Sequence, residues 1–265
     1  MSERTVALTD VVAYLDAYLR VSDVPDDPNA LNGLQVENRG RIGRVVAAVD
    51  ASLATIEGIA VAGGSPGAAL LLVHHGLFWD GNRPVTDRRY RRLRALLEAD
   101  AALYSAHIPL DLHPEVGNNA VLARRLGLTS ALSFGNHKGV LIGVTGLVQG
   151  EATTRDALVN RLATALAISP ESIRVLPGGP AKVSRVGVIT GGAGSAIGEA
   201  RAAGCDTFIT GEGAAHTFFD AMEGGINVLY AGHYATETVG VQALAAHLAD
   251  RFRLPWEFHD HPTGL

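Results

Sequence analysis

Leu103-Tyr104-Ser105-Ala106-His107-Ile108-Pro109-Leu110-Asp111 aligns without gaps on Leu229-Tyr230-Ala231-Gly232-His233-Tyr234-Ala235-Thr236-Glu237. Each stretch opens with Leu-Tyr, sets two small residues before a histidine, and follows that histidine four positions later with a carboxylate. A match this short carries weight only if others run collinear with it. Upstream, Arg44-Val45-Val46-Ala47-Ala48-Val49 resembles Arg185-Val186-Gly187-Val188-Ile189-Thr190, and between these anchors Leu72-Val73-His74-His75-Gly76 corresponds in order to Ile209-Thr210-Gly211-Glu212-Gly213. Three correspondences in one order read as an internal duplication. Duplicated halves pack around a pseudo-twofold axis and direct equivalent strand ends at one cleft between them. The halves are expected at residues 1–127 and 128–265, joined closely through Leu128 to Val140.

The matched stretches are strand-like. Runs rich in Val, Leu and Ile recur at Val45–Val49, Leu70–Val73, Ala102–Ser105, Val140–Val148, Val186–Thr190, Thr207–Thr210 and Val228–Ala231, with helix-compatible segments between them. That alternation predicts an α/β fold with much parallel sheet. Thr9-Asp10 followed by Val12, Leu15 and Leu19 marks a helix start and an apolar stripe, and Asn119 and Thr153 or Thr154 are N-cap candidates for two further helices. Leu176-Pro177-Gly178-Gly179-Pro180 reads either as a linker or as a short turn inside one domain.

Composition bounds the function. At 265 residues with 47% apolar and 18% charged residues, the chain buries a sizeable core and is not disordered. Its longest apolar run, Ala68 to Val73, is far below the roughly 20 residues a membrane helix needs. The opening Met1-Ser2-Glu3-Arg4 leads into Asp10 and Asp16 without a signal-type apolar stretch, so the expected compartment is the cytoplasm. A net charge of -5 argues against a nucleic-acid binder. The single cysteine, Cys205, excludes an internal disulfide and any site of several thiolates, so a metal here relies on histidine and carboxylate. Cys205 itself reads as a small buried residue.

In open α/β sheets ligands bind beyond the carboxyl ends of strands, where His74, His107, Glu212 and His233 are expected. His74-His75 ends a strand; successive strand side chains point to opposite faces, so both serve one cleft only if the chain bends, and Gly76 permits a bend. Two histidines at a strand end, one of them hydrogen-bonded in the core, are the plainer alternative. His233 and Glu237 stand at i and i+4 of an expected helix, a spacing suited to metal capture and equally common as a surface pair. Pro109 prevents a helix from holding both His107 and Asp111, leaving Asp111 as a loop or helix-entry ligand. Together His74, His75, Asp111, His233 and Glu237 provide the donors of a dinuclear site for two divalent ions drawn from Zn, Fe, Mn, Ni or Co. Glu212 and His107 are then candidate acid/base groups or orienters of the ligands.

Three other features have two readings each. Gly192-Ala193-Gly194-Ser195-Ala196-Ile197-Gly198 departs from the dinucleotide fingerprint and is more simply a tight strand-to-helix turn. The arginines of Asp87-Arg88-Arg89-Tyr90-Arg91-Arg92-Leu93-Arg94 form a solvated helix face or, through Arg88 and Arg89, grip an anionic substrate. His259-Asp260-His261 alternates with Trp256 and Phe258 as an edge strand would, and His216 stands four residues after Glu212, either near the site or capping a helix.

The motifs Asn32-Gly33-Leu34-Gln35-Val36, His74-His75-Gly76-Leu77-Phe78-Trp79, His107-Ile108-Pro109-Leu110-Asp111, Thr210-Gly211-Glu212 and Gly232-His233-Tyr234-Ala235-Thr236-Glu237 occur in this order along the whole chain. Together they resemble the NIF-three-like dinuclear metal-centre family, whose bacterial members are often labelled GTP cyclohydrolase I type-two homologs. The resemblance implies two interwoven α/β halves, a ring-shaped homohexamer, and two metal ions held by His74, His75, Asp111, His233 and Glu237. Many relatives carry proline where this chain has Gly76. The implied activity is metal-dependent hydrolysis of a small nucleotide-like or phosphorylated substrate, possible GTP ring opening included. The competing expectation is a non-catalytic metal-binding ring that serves as a scaffold or regulator.

Overall fold

The computed structural model describes residues 5–61, 69–149 and 154–264. The first residue of the Ala68–Val73 run, the opening Met1–Arg4 and the N-cap candidate Thr153 lie outside the described residues. Two compact units divide the chain: Met1–Leu110 with Val241–His261, and Asp111–Gly240 with Pro262–Leu265. The first turns of helix His233–Phe252 belong to the second unit and the rest of it to the first.

The first unit is built on a five-stranded sheet in the order Trp256–Phe258, Arg44–Asp50, Ala69–His75, Ala102–Ser105, Gly33–Val36. The first four strands are parallel and Gly33–Val36 closes the far edge antiparallel. A strand buried on both faces reads as a continuous apolar run rather than as alternation. Leu70, Leu71, Leu72 and Val73 accordingly have no exposed surface. One face packs on helices Leu53–Val61 and Asp87–Glu98 through Val46, Leu71, Val73, Ile56, Leu96 and Leu103. The expected edge strand at Trp256 forms, and the amide of His259 extends it by donating to the Ala47 carbonyl.

The second unit has a six-stranded sheet in the order Thr129–His137, Val140–Leu147, Arg185–Val188, Thr207–Thr210, Asn227–Tyr230, Arg174–Pro177. Its central trio is parallel and every other pairing in the sheet is antiparallel. The trio's places repeat those of Arg44–Asp50, Ala69–His75 and Ala102–Ser105 in the first sheet, and in each an antiparallel strand flanks the third member. Cys205 is buried in this unit's core with Phe134, Phe208, Ile197 and Val228, and its thiol is pushed up to about 11 by burial.

Three expectations need correction. Leu128 to Val140 is no simple connector: Thr129–His137 is a full strand paired with Val140–Leu147 across a two-residue turn, with Lys138 and Gly139 at φ +49° and +93°. Both residues in the left-handed region give the turn twist that matches paired strands. The Leu176–Pro180 stretch is not a linker, since Arg174–Pro177 is the edge strand beside Asn227–Tyr230. Asn119 does not cap its helix: Asn118–Arg125 starts after Gly117, because the fully buried Asn119 amide is spent elsewhere. Thr154 does cap Arg155–Leu166, its side chain accepting from the Ala157 amide. The Gly192–Gly198 stretch is a strand-to-helix turn, leading through a 3-10 turn into the short helix Ile197–Ala202. Among the described residues no helix is long and apolar enough to cross a membrane.

Candidate metal centre

In the first unit three imidazoles gather where parallel strands end. His74 and His75 close the strand Ala69–His75, and His107 follows the strand Ala102–Ser105. The His74 and His75 rings lie 4.8 Å apart centroid to centroid, and His107 lies 5.0 Å from the first and 5.8 Å from the second. One ligand nitrogen from each lies within 4.8 Å of the others, a grouping able to hold a metal ion. The histidine pair therefore shares one locality although the strand continues through His75.

Each ring is held by the same nitrogen. His74 Nδ1 donates to the Ala106 carbonyl at 2.8 Å, His75 Nδ1 to Asp50 Oδ1 at 2.9 Å, and His107 Nδ1 to Asp26 Oδ1 at 2.8 Å. Placing the proton on Nδ1 leaves the Nε2 lone pair as the ligand, the usual way an acceptor behind a metal-binding histidine fixes its tautomer and aim. Asp26 also accepts from the Asn32 side chain and the Ile108 amide, while Asn32 accepts from the His107 amide. Burial alone raises the Asp26 carboxyl, but its bonds to His107, Asn32 and Ile108 outweigh it and hold the group at about 2.

The loop after the pair is set by Gln35. Its Oε1 accepts from the Leu77 amide and its Nε2 donates to the Ala30 and Leu31 carbonyls. A Cβ on Gly76 would meet the Gln35 amide at 2.2 to 2.5 Å, so any side chain there would displace the head group that sets the loop.

In the second unit His233 and Glu237 share a face of helix His233–Phe252, as their spacing predicts, with His233 Nε2 3.2 Å from Glu237 Oε1. His233 Nδ1 donates to Glu212 Oε1 at 2.7 Å. Glu237 is almost fully buried, whereas Glu212 is half exposed. The bond to Glu237 raises the His233 imidazole most, burial opposes it, and Glu212 adds to the rise, giving about 9. The two carboxylates beside this imidazole favour a positive charge at its position.

Glycines bring these groups together. The Gly211 and Glu212 amides donate to the Gly191 carbonyl, and the Gly232 amide donates to the Gly211 carbonyl. A Cβ on Gly211 would stand 2.6 Å from His233 Cα and 2.7 Å from the Gly191 oxygen, so the helix start approaches this closely only because the position is glycine. Thr236 secures the same corner by accepting from the Gly191 amide. Asp111 ends the four-residue helix Ile108–Asp111, and its Oδ1 accepts from Asn118 Nδ2 at 2.8 Å. The Asn118 oxygen accepts in turn from the Gly240 amide, three residues beyond Glu237, so one amide ties Asp111 to the helix that carries His233 and Glu237. The neighbouring Asn119 donates to the Ile142 carbonyl and accepts from the Thr190 amide.

Of the other sequence candidates, Arg89 is buried and bound to the Asp80 carboxylate and the Arg83 and Gly81 carbonyls. It braces the loop and is not available to grip a substrate. His216 stands at the start of helix Thr217–Gly224 without a side-chain capping bond. Sequence reasoning missed Asp26, Asp50, Asn118 and Thr236. Asp50 had a signal, a carboxylate at the carboxyl end of a parallel strand; Asp26 had none.

A family model for Duf34/NIF3 (NGG1p interacting factor 3) matches residues 6–262. A protein named GTP cyclohydrolase 1 type 2 homolog from Deinococcus radiodurans is 46% identical over 256 residues, 97% of this chain and 94% of that protein. One of the same name from Halobacterium salinarum is 44% identical over 259 residues, 97% and 99%. Among solved structures, TTHA1606 from Thermus thermophilus matches with a TM-score of 0.85 at 42% identity, covering 98% of this chain and all of that one. Protein ybgI, described as of unknown function, matches with a TM-score of 0.87 at 33% identity and the same coverage.

Proposed function

The chain belongs to the Duf34/NIF3 family, and we propose that it is a metal-dependent hydrolase with a dinuclear centre that acts on a small nucleotide-like or phosphorylated substrate. The proposed ligands are His74, His75, Asp111, His233 and Glu237, contributed by two duplicated and interwoven halves, 1–127 and 128–265, around a pseudo-twofold. The observation that carries the reading is the common tether: His74, His75, His107 and His233 all direct Nδ1 at a protein acceptor. Four imidazoles oriented alike suit cation binding far better than unrelated core packing. The donors, nitrogen and oxygen without thiolate, fit Zn, Fe, Mn, Ni or Co.

When bound, two divalent ions supply Lewis-acid polarisation of the substrate and lower the pKa of a water toward neutrality. The chain's own residues do the rest. Asp50, Asp26 and Glu212 keep the imidazole protons on Nδ1. The half-exposed Glu212 carboxylate, and more weakly His107, moves the proton. The name that the Deinococcus radiodurans and Halobacterium salinarum relatives carry makes hydrolytic opening of a GTP ring the first reaction to assay. The protein is proposed to act in the cytoplasm as a homohexamer.

One observation favours a second reading, a metal-binding scaffold or regulator without turnover: Glu212 already spends an oxygen on His233. Metal analysis and light scattering of the purified protein, followed by nucleotide and phosphoester assays, separate the two. The hydrolase reading expects a hexamer mass and turnover that falls about a hundredfold or more in Glu212→Gln with metal retained. Bound metal without turnover on any of these substrates supports the scaffold.

A further inference from the structure

Five arginines line helix Asp87–Glu98, and four have identified partners. Arg89 is bound into the preceding loop, Arg88 lies 3.7 Å from Asp80, Arg91 3.2 Å from Asp87, and Arg94 2.7 Å from Glu98. Arg92 differs. Among the described residues its guanidinium has neither a hydrogen bond nor an ion pair, and its Nε is buried without an acceptor. Arg44 and Arg89 also leave Nε without an acceptor, but their terminal nitrogens are bound. A buried Nε–H with no acceptor carries a desolvation cost in the folded chain.

Its surroundings bear on that cost. Burial and the charge of Arg88, one helical turn away, both weigh against the Arg92 cation, while Asp50 and Asp80 partly offset them. Asp50, whose charge favours the Arg92 cation, is the carboxylate that holds His75. Both acids are already engaged, Asp50 with His75 and Asp80 with Arg89. Trp79 stands edge-on to His107, with centroids 4.8 Å apart, and to His75 at 5.8 Å, and its Nε1–H is likewise buried without an acceptor. The Arg92 Nε and Trp79 Nε1 donors thus both lack acceptors, and Arg88, one turn before Arg92, lies 3.7 Å from the Asp80 that follows Trp79. Planar guanidinium forks of this kind match the oxygens of a phosphate.

We propose that Arg92, with the exposed Arg88 at its rim and the Trp79 N–H beside it, forms an anion subsite that takes a phosphate group of the substrate next to the metal-binding histidines. The proposal rests on the hydrolase reading for the identity of the ligand as substrate, and it narrows that substrate to a phosphorylated compound.

The test is calorimetric titration of inorganic pyrophosphate into the full chain at pH 8 after chelator treatment, so that bound metal cannot capture the anion. Wild type is expected to bind, with affinity falling as salt rises. Arg92→Gln is expected to weaken binding about tenfold or more, and Arg92→Lys by less. Arg94→Gln, whose partner Glu98 lies on the exposed helix surface, is expected to bind as wild type does. Thermal unfolding of each variant confirms folding; if Arg92→Gln does not fold, Arg88→Gln and Trp79→Phe are read instead, each expected to bind more weakly. Wild-type affinity in the folded variants, or no binding to wild type, overturns the subsite. Metal content of the untreated variants is measured alongside: loss of pyrophosphate binding with metal retained supports the subsite, whereas a wild type that takes up no metal overturns the hydrolase reading and leaves the anion titration to stand or fall separately.

Discussion

The side chain that holds His107 is Asp26, and its acidity makes the contact measurable. Its carboxyl falls from an ordinary 3.8 to about 2 in the folded protein. A group whose folded value is depressed stabilises the fold above its unfolded value, and that contribution is lost as pH falls through the folded one. Asp26 therefore contributes about 2 kcal/mol at pH 5 and above, and this disappears between roughly pH 4 and pH 2. Asp26→Asn is expected to be less stable than wild type in urea unfolding at pH 6, with the gap narrowing toward pH 2. A gap that does not change with pH would show that the carboxylate charge contributes nothing. Asp26 was illegible in the sequence for a physical reason. Its partner lies 81 residues away, and the loop that carries it has no apolar period to mark a face. His74, His75, His107, His233 and Glu237 were legible because they punctuate strand ends or a helix face, where periodicity does locate side chains.

Elements were legible where burial dictates composition. The strands Ala102–Ser105 and Thr207–Thr210 fall at their expected bounds because each is apolar or β-branched and buried along its whole length. The strand Thr129–His137 escaped notice because most of its side chains are exposed, Leu132 among them, so no apolar pattern marks it. Asn119 looked like a cap because asparagine favours caps, yet tertiary bonds to Ile142 and Thr190 outcompete that local preference. The corner of Gly191, Gly211 and Gly232 shows the reverse, a feature visible as glycine whose purpose needed coordinates. Gly211→Ala must push the helix start at His233 away from the strand end. It is expected to cost about 1–3 kcal/mol and to weaken metal retention together with stability. An alanine variant with unchanged melting temperature and metal content would mean that the helix start does not depend on this approach.

At the scale of the molecule, the two sheets repeat one arrangement of a parallel trio with an antiparallel neighbour. The collinear matches at Arg44 and Arg185, Leu72 and Ile209, and Leu103 and Leu229 fall on corresponding strands of that arrangement. The proposed ligands fall on both units, His74 and His75 on the first, and Asp111, His233 and Glu237 on the second. If they form one dinuclear centre, a substitution in either unit must lower the metal content of the whole chain. The most direct test is metal content by mass spectrometry after reloading the protein with zinc and desalting it. The account predicts two ions per chain in wild type, and a clear loss both in His75→Ala and in Glu237→Gln. A wild-type chain that emerges without metal, or variants that retain both ions, would contradict it.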